Sequence, residues 1–214
     1  MDEEITIIDS NARNERIKNF FINNKKKLII TVSIILVIII GYLSFEKSKE
    51  RNKIKLANQY NLALIDLNPQ NKQKKINAMI NVVKSNDATY SPLALYHLLD
   101  NNLLDNNDDI NNLFNELIEK TNLENEIKNL VIYKKALFNS NFVSENELLR
   151  ILNPVINSDS IWKSHALYLL AEYFYSKKEK QKAKEFFNKI LVLPSANNEI
   201  KLESQKRLNR DLGE

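Results

Sequence analysis

The chain has 214 residues, a formal net charge of +4, 43% hydrophobic and 27% charged residues, a balance that suits a globular protein rather than a disordered one. It holds two glycines, Gly41 and Gly213, and no cysteine. Glycine-rich phosphate loops and dinucleotide fingerprints, which need several glycines where backbone approaches phosphate, are thereby excluded, as are thiol nucleophiles, disulfides and thiolate metal sites, and only His97 and His165 remain for imidazole chemistry.

The first feature in chain order is an uncharged run from Leu28 to Phe45, rich in Ile, Val and Leu. At 1.5 Å per residue a helix of this length is about 27 Å long, close to a hydrocarbon core of about 30 Å. Lys25, Lys26 and Lys27 close one end, and Tyr42 and Phe45 mark the opposite interface. A cleaved signal peptide is the rival reading, but the run passes into Phe45-Glu46-Lys47 without a small-residue cleavage site. The expectation is a signal anchor that keeps its place in the chain. Six Lys/Arg precede it (Arg13, Arg16, Lys18 and Lys25 to Lys27) and five follow (Lys47, Lys49, Arg51, Lys53 and Lys55). That margin, with the compact triple lysine, predicts a cytoplasmic N-terminus and a domain on the far side of the membrane.

Beyond the run the chain reads as amphipathic helices joined by short polar turns, predicted over 46–67, 70–84, 92–104, 109–120, 124–139, 145–153, 160–176, 179–192 and 197–209. The implied division is a tail over 1–27, a transmembrane anchor over 28–45, a stalk and linker over 46–69 and a helical domain over 70–214. Asn68-Pro69 and Ser91-Pro92 each place a capping residue before a Pro suited to the first helical turn. Thr121 with Glu124, and Ser144 with Glu147, have capping-box spacing. Pro154 and Pro194 are placed to stop helices. No alternating strand pattern occurs, so the fold class is all-α.

The helices group in pairs. Leu167, Leu170, Ala171 and Phe174 form one stripe, and Ala183, Phe187, Ile190 and Pro194 follow at the spacing of a tetratricopeptide repeat. Small Ala171 and Ala183 would let two antiparallel helices approach, with Phe187 and Ile190 filling the groove to a neighbour. Ala136, Leu148, Leu152 and Val155 keep the offsets of Ala171, Ala183, Phe187 and Ile190. Ala94-Leu95-Tyr96 repeats in Ala166-Leu167-Tyr168, and its following helix carries Ile110, Phe114 and Leu117. The architecture expected is a single N-terminal transmembrane helix followed by a tetratricopeptide-like α-solenoid of paired antiparallel helices.

With its basic tail, its anchor and the segment Trp162-Lys163-Ser164-His165-Ala166-Leu167-Tyr168-Leu169-Leu170-Ala171, the chain resembles the ancillary subunit of the SecYEG translocon. The cell division coordinator proteins carry the same kind of domain. The glycine usual in that family's inter-helix turn is replaced by Lys177-Lys178-Glu179-Lys180. The resemblance implies an inner-membrane protein with a periplasmic domain and partners among translocon subunits and periplasmic chaperones.

Asp105, Asn107, Asp109 and Glu116 fall on a calcium-loop pattern, but Ile110 stands where that loop needs glycine, and an acidic helix N-terminus is the expected reading. His97 and His165 lie in apolar helical segments without a carboxylate spaced to orient them as bases. Lys177, Lys178, Lys180, Lys182 and Lys184 lack interleaved aromatics, so no nucleic acid is expected. Tyr133, Tyr168 and Tyr175 are the aromatics placed to meet a partner. No catalytic residue, metal or cofactor is assigned, and self-association is open. The expected function is a protein-binding scaffold at the export machinery. The alternatives are an envelope or division assembly scaffold and a membrane-bound hydrolase using His97 or His165.

Overall fold

The structure, a computed structural model, describes residues 2–65 and 71–213, with side chains from residue 13 onward. Among the described residues every regular element is helical. Helix α1 runs over Asp2–Ile65 and takes in the basic segment, the apolar run and the residues beyond it. The expected stop at Asn68-Pro69 lies outside the described residues. Contacts divide the chain into two compact units, Met1–Lys55 and Leu56–Glu214. The last turns of α1 therefore belong to the second unit, where Ala63 is buried and Tyr60 and Leu64 pack against the core.

The second unit continues with α2 (Lys72–Val83), α3 (Tyr90–Asp100), α4 (Asn107–Lys120), α5 (Asn125–Asn139), α6 (Glu145–Ile156), α7 (Lys163–Ser176), α8 (Lys180–Leu191) and α9 (Asn198–Asp211). Each buries a stripe spaced for one helical face, such as Ile110, Leu113, Phe114 and Leu117 on α4. From α2 on, each helix packs against the next, and α2 with α4, α5 with α7 and α7 with α9 also touch.

The helix starts correct several sequence expectations. Asn106 caps α4 by accepting from the Asp108 and Asp109 amides at 2.7 and 3.3 Å, and Ser144 caps α6 by accepting from Glu147 N at 3.3 Å. Ser91, however, is not a cap. Asp87 Oδ1 takes the Thr89 and Tyr90 amides instead, and Ser91 Oγ, fully buried, donates to the Val82 carbonyl at 2.8 Å. A buried hydroxyl requires a partner, and the end of α2 supplies one of its orphan carbonyls. Thr121 likewise leaves the start of α5 and donates to Asn86 Oδ1 at 3.1 Å. Pro154 sits inside α6, which runs on to Ile156. Its ring lies on the exposed side, so the missing amide costs a bond late in the helix while buried Val155 holds the last turn down.

The helix ends work without glycine. Asn102 and Lys178 adopt φ of 48° and 64°, the left-handed position that usually takes glycine after a helix. Both carry the complete double closure. Leu103 N donates to Leu98 O and Asn102 N to Leu99 O, as Glu179 N does to Phe174 O and Lys178 N to Tyr175 O.

Burial follows a recurrence. Ala171, Ala183, Phe187 and Ile190 are all fully buried, and so are Ala136, Leu148, Leu152 and Val155 at the same offsets of 12, 16 and 19 residues. Leu98, Ile110, Phe114 and Leu117 repeat those offsets with at most 4% exposure. Ala63, Lys75, Met79 and Val82 repeat them again, with half-buried Lys75 the one polar member. The sets begin at residues 63, 98, 136 and 171.

Candidate functional site

Residues 28–45 of α1 carry no buried side chain in a window long and apolar enough to cross a membrane. Val37, Ile38 and Ile40 are 70%, 64% and 62% exposed, a continuous apolar surface larger than a protein leaves in water without a purpose. Its backbone polar groups are satisfied within the helix, as a hydrocarbon surrounding demands. Thr31 Oγ1 returns a hydrogen bond to the Lys27 carbonyl at 3.0 Å. Lys25, Lys26 and Lys27 are exposed at one end of the run, and Tyr42 and Phe45 at the other.

The residues expected to pack the repeats fall into two clusters. Ala94 and Phe114 lie in the first, with Ala63, Met79 and Leu98. Ala136, Leu148, Leu167, Ala171, Phe174, Ala183, Phe187 and Ile190 lie together in the second. Helix α5 joins them, giving Val131 to one and Ile132 to the other.

Three arrangements stand out on the surface of the second unit. In the first, Tyr133 of α5 stacks on Trp162 with centroids 5.9 Å apart, and His165 of α7 lies against both rings. His165 Nδ1 is buried without a well-formed hydrogen bond. Burial lowers the imidazole pKa, an effect the Ile161 backbone partly offsets. Among the described contacts His165 meets two aromatic rings and no carboxylate. His97, on α3, faces the Asn101 side-chain amide at 3.2 Å.

The second arrangement joins α7 to α9. Arg207 donates to both Glu172 oxygens and to Asp211, and its guanidinium lies 4.3 Å from the centre of the Tyr175 ring. Burial, with Glu172 alongside, pushes the Tyr168 hydroxyl up to about 12. Of the aromatics expected to meet a partner, Tyr133, Tyr168 and Tyr175 are all half-buried, engaged in these contacts while keeping part of their surface open. Trp162 belongs with them, yet its place beside Tyr133 depends on a contact between α5 and α7 that no local pattern announces.

The third is a cleft of about 380 Å³ between the last turns of α1 and α2, lined by Leu62, Ala63, Lys74 and Ala78 among others. Leu62 beside it is 70% exposed. A cleft between α1 and α2 had no sequence signal, since residues 46–67 read as a stalk.

The acidic stretch from Asp105 to Glu116 forms the capped start of α4 with Ile110 buried among the core residues, so its backbone is helical where a calcium loop would turn. Among the described residues no group of three or more His, Asp or Glu side chains is placed to hold a metal. Compared with known proteins, the chain matches no family model, no curated protein and no solved structure.

Proposed function

We propose that this chain is a membrane-anchored scaffold for protein–protein contact. One helix spans the bilayer over residues 28–45, and the helices from the end of α1 to α9 form a tetratricopeptide-like solenoid of paired antiparallel helices. The observation that carries the reading is the fourfold recurrence of the buried set at offsets of 12, 16 and 19 residues. A repeat unit cannot bury its apolar face alone, so successive units stack and leave an extended surface free for partners. Helix α9 packs on α7 and α8 with 14 residues that bury only Ser204 and Leu208, which leaves its outer face polar.

The triple lysine before the span supports a cytoplasmic N-terminus, which sets the repeat domain in the periplasm of an inner membrane. There its partners are translocon subunits and periplasmic chaperones, and the protein works by binding rather than catalysis. The Tyr133–Trp162 surface and the α1–α2 cleft are the two places on the domain suited to receive them, one aromatic and one apolar with a lysine rim. Two measurements test this reading. Protease added to intact spheroplasts should digest the helical domain and spare the N-terminal segment. Purification of the intact chain from detergent-solubilised membranes should recover translocon or chaperone components, and their repeated absence defeats the reading.

A further inference from the structure

We propose that residues 13–27 form an arm that binds anionic phospholipid and lies, on its Ile17–Phe20–Phe21 face, against the leaflet from which α1 enters the bilayer. The proposal rests on the reading that residues 28–45 span a membrane. Ile17, Phe20 and Phe21 are 50%, 57% and 57% exposed. With Asn24 and Leu28 they follow the spacing of a single helical face that runs on into the span. Two polar residues share that face. Asn24 is partly satisfied by its own helix, its Nδ2 donating to the Phe20 carbonyl at 3.0 Å, and Arg13, one turn before Ile17, is long enough to carry its charge out to the headgroups. Phe20 and Phe21 meet edge to face at 5.9 Å, which leaves most of both rings for another surface.

Charge decides what that surface is. Over residues 13–27 there are six Lys/Arg (Arg13, Arg16, Lys18, Lys25, Lys26 and Lys27) against the single acid Glu15. A cationic helix with an aromatic face binds in the plane of an anionic interface. Continuity with the span supplies the address, since Ile17 lies only about 16 Å of helix from Leu28 at 1.5 Å per residue. An upright helix would carry Ile17 beyond the headgroups. Lying down requires α1, which is unbroken here through Asn23 and Asn24, to turn at those two weak helix formers when it meets the bilayer. The cations are then brought within the Debye length of the lipid phosphates.

The absence of native cysteine makes a clean test available. The full chain is labelled with an environment-sensitive dye at Ile17→Cys or at Val37→Cys and reconstituted in vesicles of phosphatidylcholine, with or without phosphatidylglycerol. The expected result is apolar emission from the Val37→Cys label in both vesicles. The Ile17→Cys label should turn apolar only with phosphatidylglycerol and revert at high salt. Changing Lys25, Lys26 and Lys27 to Gln should weaken the docked state by roughly fivefold for each lysine. An Ile17→Cys label that stays in water in both vesicles, or is equally buried in both, overturns the arm while leaving the span intact. Shielding that appears only when membrane proteins are added also overturns it, in favour of a protein partner. A Val37→Cys label exposed to water overturns the span itself and the arm with it.

Discussion

Arg207 on α9 holds Glu172 on α7 through two parallel bonds, Nε to Oε1 at 2.7 Å and Nη2 to Oε2 at 2.5 Å. The Arg207 side chain is only 15% exposed, and the fork geometry is one that lysine cannot copy. Helix α9 buries little apolar surface of its own, so this pair carries an unusual share of its attachment. Arg207→Ala should speed amide hydrogen exchange across α9, easing its opening by about 1–2 kcal/mol. Arg207→Lys should restore only part of the loss. An unchanged exchange rate in Arg207→Ala would show that α9 is held by its apolar contacts alone.

The same junction predicts a response to acid. Hydrogen bonds from Arg210 and Arg207 hold the Asp211 carboxyl down to about 2, from an ordinary 3.8. A carboxylate lowered in the folded state contributes fully above its unfolded value, and that contribution is lost as pH falls through the folded one. Protection of α9 should therefore decline between pH 3.8 and about 2. Asp211→Asn should flatten that part of the profile. If the decline persists unchanged in Asp211→Asn, other carboxylates are responsible.

Lys178 stands with φ of 64° at the end of α7. A side chain in the left-handed region costs roughly 1–2 kcal/mol relative to glycine, partly returned by the greater freedom glycine has when unfolded. Lys178 is exposed and its backbone already makes the closing bond to Tyr175 O at 2.9 Å. Lys178→Gly should then stabilise the second unit by about 0.5–1 kcal/mol. Lys178→Val should destabilise it by more, since β-branching is worst tolerated there. Urea unfolding of the full chain in detergent, followed by the single tryptophan Trp162, reports both changes.

The reach of sequence reasoning can be seen at these same positions. Periodicity located the helices because each buries one stripe, and Ala171, Ala183, Phe187 and Ile190 were visible as a set because alanine marks close approach. The set beginning at Ala63 was hidden, and the one beginning at Leu98 showed only its Ile110, Phe114 and Leu117. Leu98 replaces the small residue, and Lys75 interrupts the apolar pattern of its pair. Local signals misled where tertiary structure claims the same atom. Ser91 and Thr121 have the chemistry of caps, but the Val82 carbonyl and the Asn86 side chain take their hydroxyls. Pro154 ended a helix in sequence and does not in space, because Val155 beyond it belongs to the core. The candidate surface was the least legible part, since Tyr133 and Trp162 meet only through the packing of α5 and α7.

Packing at the recurrent positions should dominate stability. Phe187 is fully buried in the second cluster and meets Tyr168 at 5.6 Å. Phe187→Ala removes the largest member of its repeat set and should cost about 3–5 kcal/mol. Val192, the first residue past the end of α8 and 79% exposed, gives the control, for Val192→Ala should fall within about 0.5 kcal/mol of the parent. Comparable losses from both would mean that α8 is not packed through the Phe187 face.

His165 sets two physical effects against each other, and their sizes decide the outcome. Protonation would place a cation beside the Tyr133 and Trp162 rings, a contact worth about 0.5–1 kcal/mol at a partly exposed site. It would also take a charged ring partly out of water, at a cost of about 1–3 kcal/mol that the Ile161 backbone only partly offsets. The cost is larger, in keeping with a pKa lowered from 6.5 chiefly by burial. The unfolded chain then binds a proton that the folded chain resists, so stability is full above pH 6.5 and declines as pH falls below it. Trp162 lies 5.1 Å from the imidazole, so quenching of its emission should titrate with a midpoint below 6.5. His165→Phe should keep the aromatic packing and abolish both the quenching and the decline in urea resistance. A midpoint at or above 6.5 would mean that the rings, not the buried nitrogen, govern this surface, and that it receives cations rather than neutral side chains.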